Sequence, residues 1–501
     1  MHATRESTAA YHRRHPGLHT SVLGRTGLMV SGAGFGGYRI AAGVDAHRIA
    51  LRAAFASGIN LIDTSANYAD GASEELAGAV IAETAREGTI ARSEIVVVTK
   101  GGYMQGSNYD MARERVESGS GFPDVVDYAP GLWHCIAPEF LNDQITRSLE
   151  RLGLDTIDVY LLHNPEYYLG WAHKQGMPPE EARNEYHRRI RDAFAYLETE
   201  VERGRIGCYG ISSNSFPYAA GSYELTSLEE MIRIAENISL IHNFAVIQFP
   251  ANLFERGFVT ERNQSRERTL IELAREKNMG VLINRPLNAI VDGSLVRLAD
   301  FPAAGLQAAP EHVESSVRRL MELEREFADE RLTAFTADRE VREALLEFVA
   351  VGRTMQQHWT TFGSVEHYND VLSQHFAPRL SFVARHIREH ETQEHLDWYN
   401  GYLADARALF QAIGAYYARS AAARSERIRG RLAAVLGEEP RGTLSSLALR
   451  MLLGVEGVDS VLVGMRRDDY VDDVIGALRA GPIGNTGVWR RLDLTDVQTE
   501  R

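Results

Sequence analysis

Four residues at the ends of short apolar runs in the first third of the chain could together move a proton. NLIDTSANY ends one run at Asp63 and carries Tyr68 five residues on; IVVVTKGG ends in Lys100; IDVYLLHNPE ends in His163. A phenol has an ordinary pKa near ~10, too high for efficient donation at neutral pH unless a neighbour favours its anion. A lysine cation beside Tyr68 would do so and depress that pKa. Asp63 would hold Lys100 charged and oriented, and His163 could donate a second hydrogen bond to the oxygen that receives the proton. Such a set suits reduction of a carbonyl, which needs an acid beside the accepting oxygen and a charge that steadies the developing alkoxide. Taken singly, each residue has a plain structural reading: a helix cap, a solvated lysine, a core histidine satisfied by one hydrogen bond. The combination of complementary types at consecutive strand ends points to chemistry.

These side chains meet only if the strands that carry them are neighbours. From Thr20 onward, short and nearly continuous apolar runs (NLIDTS, IVVVTKG, IDVYLLHN, CYGISS, FAVIQFP, MGVLINRP) alternate with amphipathic helical patterns such as DAHRIALRAAFASG and EFLNDQITRSLERLG. That alternation predicts a parallel sheet buried on both faces. Seven βα steps are complete by Arg285. The eighth is delayed to SLALRMLLG, VDSVLVGM and DDYVDDVIGAL. Eight steps favour a closed α/β (β/α)8 TIM barrel over an open sheet. The expected organisation is an N-terminal tail over 1–19, a barrel over 20–287 and 442–490, and a large helical insertion after strand 7 over 288–441. Active sites of such barrels lie at the C-terminal strand ends. The long segments Tyr103 to Pro138, Asn164 to about Glu180, and the insertion should emerge there, to wall or gate a site or to form oligomer contacts. Tyr167, Tyr168 and Trp171 could line a pocket or pack their own loop.

A net charge of −14 disfavours nucleic acid and anionic membrane as partners. No apolar run reaches the ~20 residues of a membrane helix. Two cysteines, Cys135 and Cys208, are too few for a disulfide framework, which suits a reducing cytoplasm. Two motifs compete. Gly32, Gly34 and Gly37 satisfy G-x-G-x-x-G, but YRIAAGV separates them from the next helix, which starts near Asp45, against a Rossmann reading. His386, Glu389 and His390 form H-x-x-E-H, a zinc-peptidase pattern, within a segment already rich in His and Glu. A solvated helix face explains it, and no metal is expected.

The order of LGRTGLMVSGAGFGG, DTSANY, TKGG, SLERLGLDTIDVYLLHNP, GISSNSF, INRPL and LALRMLLGVEGVDSVLVGMR resembles that of the aldo-keto reductase family, over roughly Thr20 to Leu287 and Gly442 to Leu478. The resemblance implies Tyr68 as general acid/base with Asp63, Lys100 and His163 as partners. It also implies a nicotinamide dinucleotide lying extended across the barrel mouth, NADP by the family's usual choice and NAD as the alternative. By residue, Ser212, Ser213, Asn214 and Gln248 match positions that hold the carboxamide. Gly36, Gly37 and Tyr38 follow strand 1 beside the nicotinamide, with Asp63. Arg285 and Leu287 fall near the pyrophosphate, and Gly464, Met465 and Arg466 on the adenosine phosphate side. Asn284 stands where many relatives place an aromatic ring. Gly464, Met465, Tyr470 and Val474 replace the Lys-Ser and later Arg and Asn of members that prefer NADPH, although Arg466 and Arg467 could meet a 2′-phosphate.

The expected activity is therefore an NAD(P)-dependent oxidoreductase interconverting an alcohol and an aldehyde, ketone or sugar carbonyl. The competing reading is a redox-sensing or binding subunit on the same barrel, with slow or vestigial turnover.

Overall fold

The computed structural model describes residues 2–291, 294–301, 309–335, 338–362, 365–390 and 392–498. Eight parallel strands close into a barrel in sequence order: β1 (Ala33–Gly36), β2 (Leu61–Asp63), β3 (Val96–Gly101), β4 (Ile157–His163), β5 (Ile206–Ser212), β6 (Phe244–Pro250), β7 (Gly280–Asn284) and β8 (Ser460–Val463). The ladder between β8 and β1 completes the cylinder, pairing Val461 with Ala33 and Val463 with Phe35. Helices such as Asp45–Ala56, Ala72–Glu87 and Pro138–Leu152 connect the strands. The last of these shows why the local sequence folds so. Pro138 starts it, Phe140, Leu141, Ile145 and Leu152 form one buried stripe, and Gly153 stops it in the left-handed region at φ 63°.

Side chains alternate in and out along each strand. The inward set forms one cluster: Leu61 from β2, Val96 and Val98 from β3, Val159 and Leu161 from β4, Cys208 from β5, Val246 from β6, Leu282 from β7 and Leu462 from β8. Leu23, Leu28 and Val30 join it from a hairpin that pairs Thr20–Val22 with Met29–Ser31. That hairpin plugs the N-terminal end of the cylinder, so the opposite end is the one free to hold a site.

The expected N-terminal tail is corrected. Arg5–Arg13 is a helix capped by Thr4, whose Oγ1 accepts the Ser7 N–H. Tyr11 is fully buried and donates to the Phe55 carbonyl at 2.5 Å, His12 Nε2 lies 3.1 Å from Asn60 Oδ1, and Arg14 grips Glu94 with two bonds of 2.6 and 2.9 Å. The polar composition that suggested a tail in fact serves this docking below β2 and β3.

The chain divides into two compact units, Met1–Ala289 with Val435–Leu492 and Ile290–Ala434 with Asp493–Arg501. The second unit is mainly helical, around a core that includes Val313, Leu320, Leu345, Met355, Tyr399, Leu409 and Ile413. The stretch REVREALLEFVAVGRTM forms two helices, Arg339–Phe348 and Val351–His358. The buried Glu324 carboxylate accepts the Gly352 and Arg353 N–H groups and so starts the second helix afresh. His386 to His390 lie in the helix Ala377–His390, but the side chains of Glu389 and His390 fall outside the described residues. Among the described residues no helix is long and apolar enough to cross a membrane.

Replacing Tyr11 should disclose the clamp. Tyr11→Ala is expected to lower the unfolding free energy by about 3 kcal/mol, as for a buried aromatic truncated to alanine. The drop would appear in the urea midpoint, whereas an unchanged midpoint would return the segment to the status of a tail.

Candidate active site

The inward alternation that packs the barrel also assembles its mouth. Continuing each inward row by one more step replaces apolar side chains with Asp63 after Leu61, Lys100 after Val98, His163 after Leu161, Gln248 after Val246 and Asn284 after Leu282. Register aligns the rows: Asp63 stands beside Gly36 and Val98, and Ser212 beside both His163 and Gln248. Three of the four residues expected to do chemistry are thus brought to one end of one cylinder, and Tyr68 reaches them from the loop after β2.

Lys100 is fully buried. Its Nζ donates to Asp63 Oδ2 at 2.7 Å, to the Thr64 carbonyl at 2.8 Å and to Tyr68 Oη at 3.2 Å. An ammonium has three hydrogens, and all three are engaged. The phenol oxygen accepts, so its own hydrogen points elsewhere; no acceptor for it is found among the described residues. Behind the ion pair, Gln248 Nε2 donates to Asp63 Oδ1 at 2.7 Å, and Gln248 Oε1 accepts from Ser212 Oγ at 2.8 Å. Burial alone would lower the Lys100 pKa, but Asp63 and Tyr68 outweigh it and hold the ammonium above its ordinary value. For Tyr68 the expectation of a depressed pKa is overturned. Burial pushes the phenol up by more than Lys100 draws it down, so it stays protonated.

His163 lies on the other side of Tyr68, ring centroids 5.9 Å apart. Burial, with Lys100 and His134 adding to it, keeps the imidazole well below its ordinary pKa and so neutral. Tyr38, 67% exposed, sets its ring edge-on to Tyr68 at 5.2 Å. Tyr103 contacts both His163 and Tyr167, at 4.6 and 5.1 Å. Tyr167 therefore belongs to the wall of the mouth. Tyr168 and Trp171 pack on one another, and Tyr168 Oη turns to Met177 Sδ, so these two serve their own loop.

A family model described as the Aldo/keto reductase family matches residues 34–295, more than half of the chain. The chain belongs to the aldo/keto reductase family. It is 26% identical over 303 residues to an NADH-specific methylglyoxal reductase of Escherichia coli (strain K12), covering 57% of this chain and 72% of that protein. It is 31% identical over 194 residues to an aldo-keto reductase of Alternaria alternata, covering 36% of this chain and 46% of that one. Among solved structures, an aldo-keto reductase from Bacillus halodurans (holo form) aligns with 95% of this chain and 96% of its own at a TM-score of 0.47 and 16% identity.

The positions carried over as dinucleotide contacts in this aldo/keto reductase divide into two groups. Gly36, Gly37, Tyr38, Ser212, Asn214 and Gln248 surround the mouth, and Gly464 is exposed with open space where a side chain would begin. Asn284 Nδ2 reaches Gln248 Oε1 at 3.4 Å, while its buried Oδ1 has no partner among the described residues, an acceptor waiting for an amide or hydroxyl donor. Leu287 and Arg466 are half-buried beyond β7 and β8. The second group is turned away. Ser213 is buried with its hydroxyl in a cluster with Ser215 and Thr226, Met465 is fully buried, and Arg285 pairs with Glu255 at 2.6 Å. Its main-chain N–H is committed as well, Ser213 donating to the Gln248 carbonyl at 2.9 Å. The mouth of this family member thus fits a dinucleotide.

Two polar residues of the site escaped the sequence reading. Ser65 is buried with its Oγ 3.0 Å from His163 Nδ1. Glu166, 5% exposed, accepts the Asn214 N–H at 2.8 Å, and its Oε2 has no partner among the described residues. Burial pushes the Glu166 carboxyl up to about 7, against the pull of the Asn214 N–H and the Ser213 hydroxyl. Their only sequence signal was a polar residue close to a strand end.

Glu166 makes stability depend on pH. Between pH 4.5 and about 7 the folded chain keeps a proton that the unfolded chain has released. Stability should therefore fall as pH rises through that window, by up to about 3 kcal/mol, and level off above it. Glu166→Gln is expected to abolish the fall, read as the difference in unfolding free energy between about pH 5 and about pH 8. Parallel profiles for the two proteins would remove Glu166 as its source.

Proposed function

We propose that this aldo/keto reductase catalyses reversible hydride transfer between a nicotinamide dinucleotide and an aldehyde, ketone or sugar carbonyl, with Tyr68 as general acid/base. The observation that carries this reading is the saturation of Lys100. Its three hydrogens are fixed on Asp63, Thr64 and Tyr68, which leaves the Tyr68 hydrogen as the one uncommitted proton of the group.

The bound dinucleotide supplies the hydride. Ser212, Asn214, Gln248 and the orphaned Asn284 oxygen would hold its amide end, Gly36, Gly37 and Tyr38 its near face, and Leu287, Gly464 and Arg466 its phosphates. Tyr68 passes its proton to the substrate oxygen. The Lys100 ammonium, donating to the phenol oxygen, stabilises the phenolate that remains. Asp63, held by Gln248, keeps Lys100 charged while the proton moves. His163 meets the same substrate oxygen from the opposite side, and the Tyr103 and Tyr167 rings exclude water. A purely binding subunit would have no use for a buried ion pair aimed at a phenol.

The Tyr68→Phe variant keeps the ring and removes the transferable proton. It should bind cofactor about as well as wild type, by fluorescence titration, and lose turnover by two or more orders of magnitude. Unchanged turnover would eliminate Tyr68 as the acid. For cofactor choice, NADP is proposed and NAD is the alternative, which the name of the Escherichia coli relative keeps in view. If Arg466 meets a 2′-phosphate, Arg466→Ala should weaken NADPH binding by roughly tenfold, the ~1.4 kcal/mol scale of one charged hydrogen bond, and leave NADH binding unmoved. Equal loss for both dinucleotides would place Arg466 elsewhere.

A further inference from the structure

Tyr68 is followed by three residues in the left-handed region: Ala69 at φ 49°, Asp70 at φ 53° and Gly71 at φ 92°. Glycine adopts that region freely, whereas a side chain there crowds the following carbonyl oxygen. Such a turn persists where its surroundings hold it. Two contacts do so. Beneath it, the Arg151 side chain lies where a Gly71 side chain would begin, and Arg151 Nε donates to the buried Glu74 carboxylate at 2.7 Å. At its exposed edge, Asp70 Oδ1 accepts the Ser107 N–H at 3.1 Å and the Ser107 hydroxyl at 2.8 Å.

Ser107 opens the helix Ser107–Glu117, and Gly106 before it offers no side-chain cap. Asp70 therefore caps that helix from another segment, taking up one of its free N–H groups and setting a negative charge at its positive end. Gly106 admits the carboxylate, since a Cβ there would lie 2.8 Å from Asp70 Oδ1. The helix belongs to the excursion after β3, which also carries Tyr103, the ring packed against His163. One carboxylate thus joins the turn that bears the phenol to the wall that faces it.

We infer that Asp70 is a positioning residue for Tyr68: by capping Ser107–Glu117 from across the loop, it holds the left-handed turn and so keeps the phenol oxygen within reach of Lys100. The inference rests on the proposed reading in which Tyr68 is the acid. Asp70 acts through two residues of backbone. Without the cap, Ala69 and Asp70 leave the left-handed region, and Tyr68 Oη moves off the Lys100 ammonium, now 3.2 Å away. The proposed dinucleotide contacts come from other segments, so cofactor binding does not depend on the cap.

Two substitutions separate the cap from the backbone it holds. Asp70→Asn keeps an acceptor for Ser107 and a side chain that tolerates the left-handed region, whereas Asp70→Gly keeps the backbone freedom and removes the cap. In the full-length protein, Asp70→Gly should lower kcat by roughly tenfold or more, the scale set by misplacing a reacting group by about 1 Å, with cofactor affinity unchanged. Asp70→Asn should stay close to wild type. In alcohol oxidation, where Tyr68 must first lose its proton, the rise of kcat with pH should move to higher pH in Asp70→Gly, because the cation that favours the phenolate is farther away. A merely structural loss would lower kcat without moving that rise. Hydrogen exchange followed by mass spectrometry should show residues 65–72 and 105–117 exchanging faster together in Asp70→Gly and not in Asp70→Asn. Gly106→Ala, which crowds the carboxylate out from the other side, should reproduce these changes and covers the case in which Asp70→Gly does not fold. Wild-type kcat and pH profile in the cap-less variants, or an Asp70→Asn as impaired as Asp70→Gly, would overturn the inference. The exchange rates do not involve turnover, so a fully active Tyr68→Phe would defeat the proposed reaction while the exchange still reports whether the cap holds the turn.

Discussion

A lysine ammonium with no exposure to water is the constraint around which this barrel is arranged. Removing such a charge from solvent costs several kcal/mol even after relaxation, and the cost is recovered only where close acceptors replace the lost water. Here the acceptors come from a carboxylate at the end of β2, the carbonyl that follows it and a phenol on the loop beyond. Their placement fixes the register of β2 against β3 and the path of the chain from Asp63 to Tyr68. A one-residue slip would turn Lys100 outward and leave Asp63 buried without its cation. The polar mouth and the fold therefore constrain each other.

The same alternation accounts for the contrast between the two ends of the cylinder. Lower inward rows are aliphatic and closed by the N-terminal hairpin; the last inward row is polar on six strands in succession from β2 to β7 once Ser212 is counted. Hydrogen bonds in that row run in a definite direction, from Ser212 to Gln248 to Asp63, meeting the Lys100 donation from the other side. Asp63 is consequently saturated on both oxygens by donors that cannot turn away. Burial pushes the Asp63 carboxyl above its ordinary pKa, Lys100 and Gln248 pull it back, and the ammonium beside it is held charged.

Much of this was legible in the chain because it is local. Strand ends are marked by apolar runs, so Asp63, Lys100 and His163 could be placed at one mouth once eight βα steps were counted, and Tyr68 followed from its short distance to Asp63. What could not be read depends on contacts between distant segments. Gln248 was expected as a cofactor contact; its pairing with Asp63 joins positions 185 residues apart. Ser65 meets His163 across 98 residues, and nothing in DTSANY distinguishes its serine from a turn residue. The break between Phe348 and Val351 is imposed by Glu324, a tertiary cap with no trace in the helical periodicity. The N-terminal helix is too short and polar to announce itself, since its hold on the barrel comes from Tyr11 and Arg14 rather than from an apolar stripe. The sign of the Tyr68 shift was missed for a related reason. Lys100 was visible in the sequence, but the depth of burial that outweighs it was not.

The inventory of protons in the mouth decides the division of labour. Lys100 carries the charge but has no hydrogen to give, because each is fixed on an acceptor. His163 is neutral, and its Nδ1 lies 3.0 Å from Ser65 Oγ. Asp63 accepts on both oxygens and has no proton at all while Lys100 is charged. Of the four groups only Tyr68 combines partial exposure with an uncommitted hydrogen. In the proposed reaction its phenol must therefore be the acid, and the same burial that raises its pKa makes the developing phenolate depend on the ammonium 3.2 Å away. Lys100 thus acts through Tyr68, and Asp63 and Gln248 act through Lys100, so the proton at the mouth is governed by a single line of hydrogen bonds running back into the barrel.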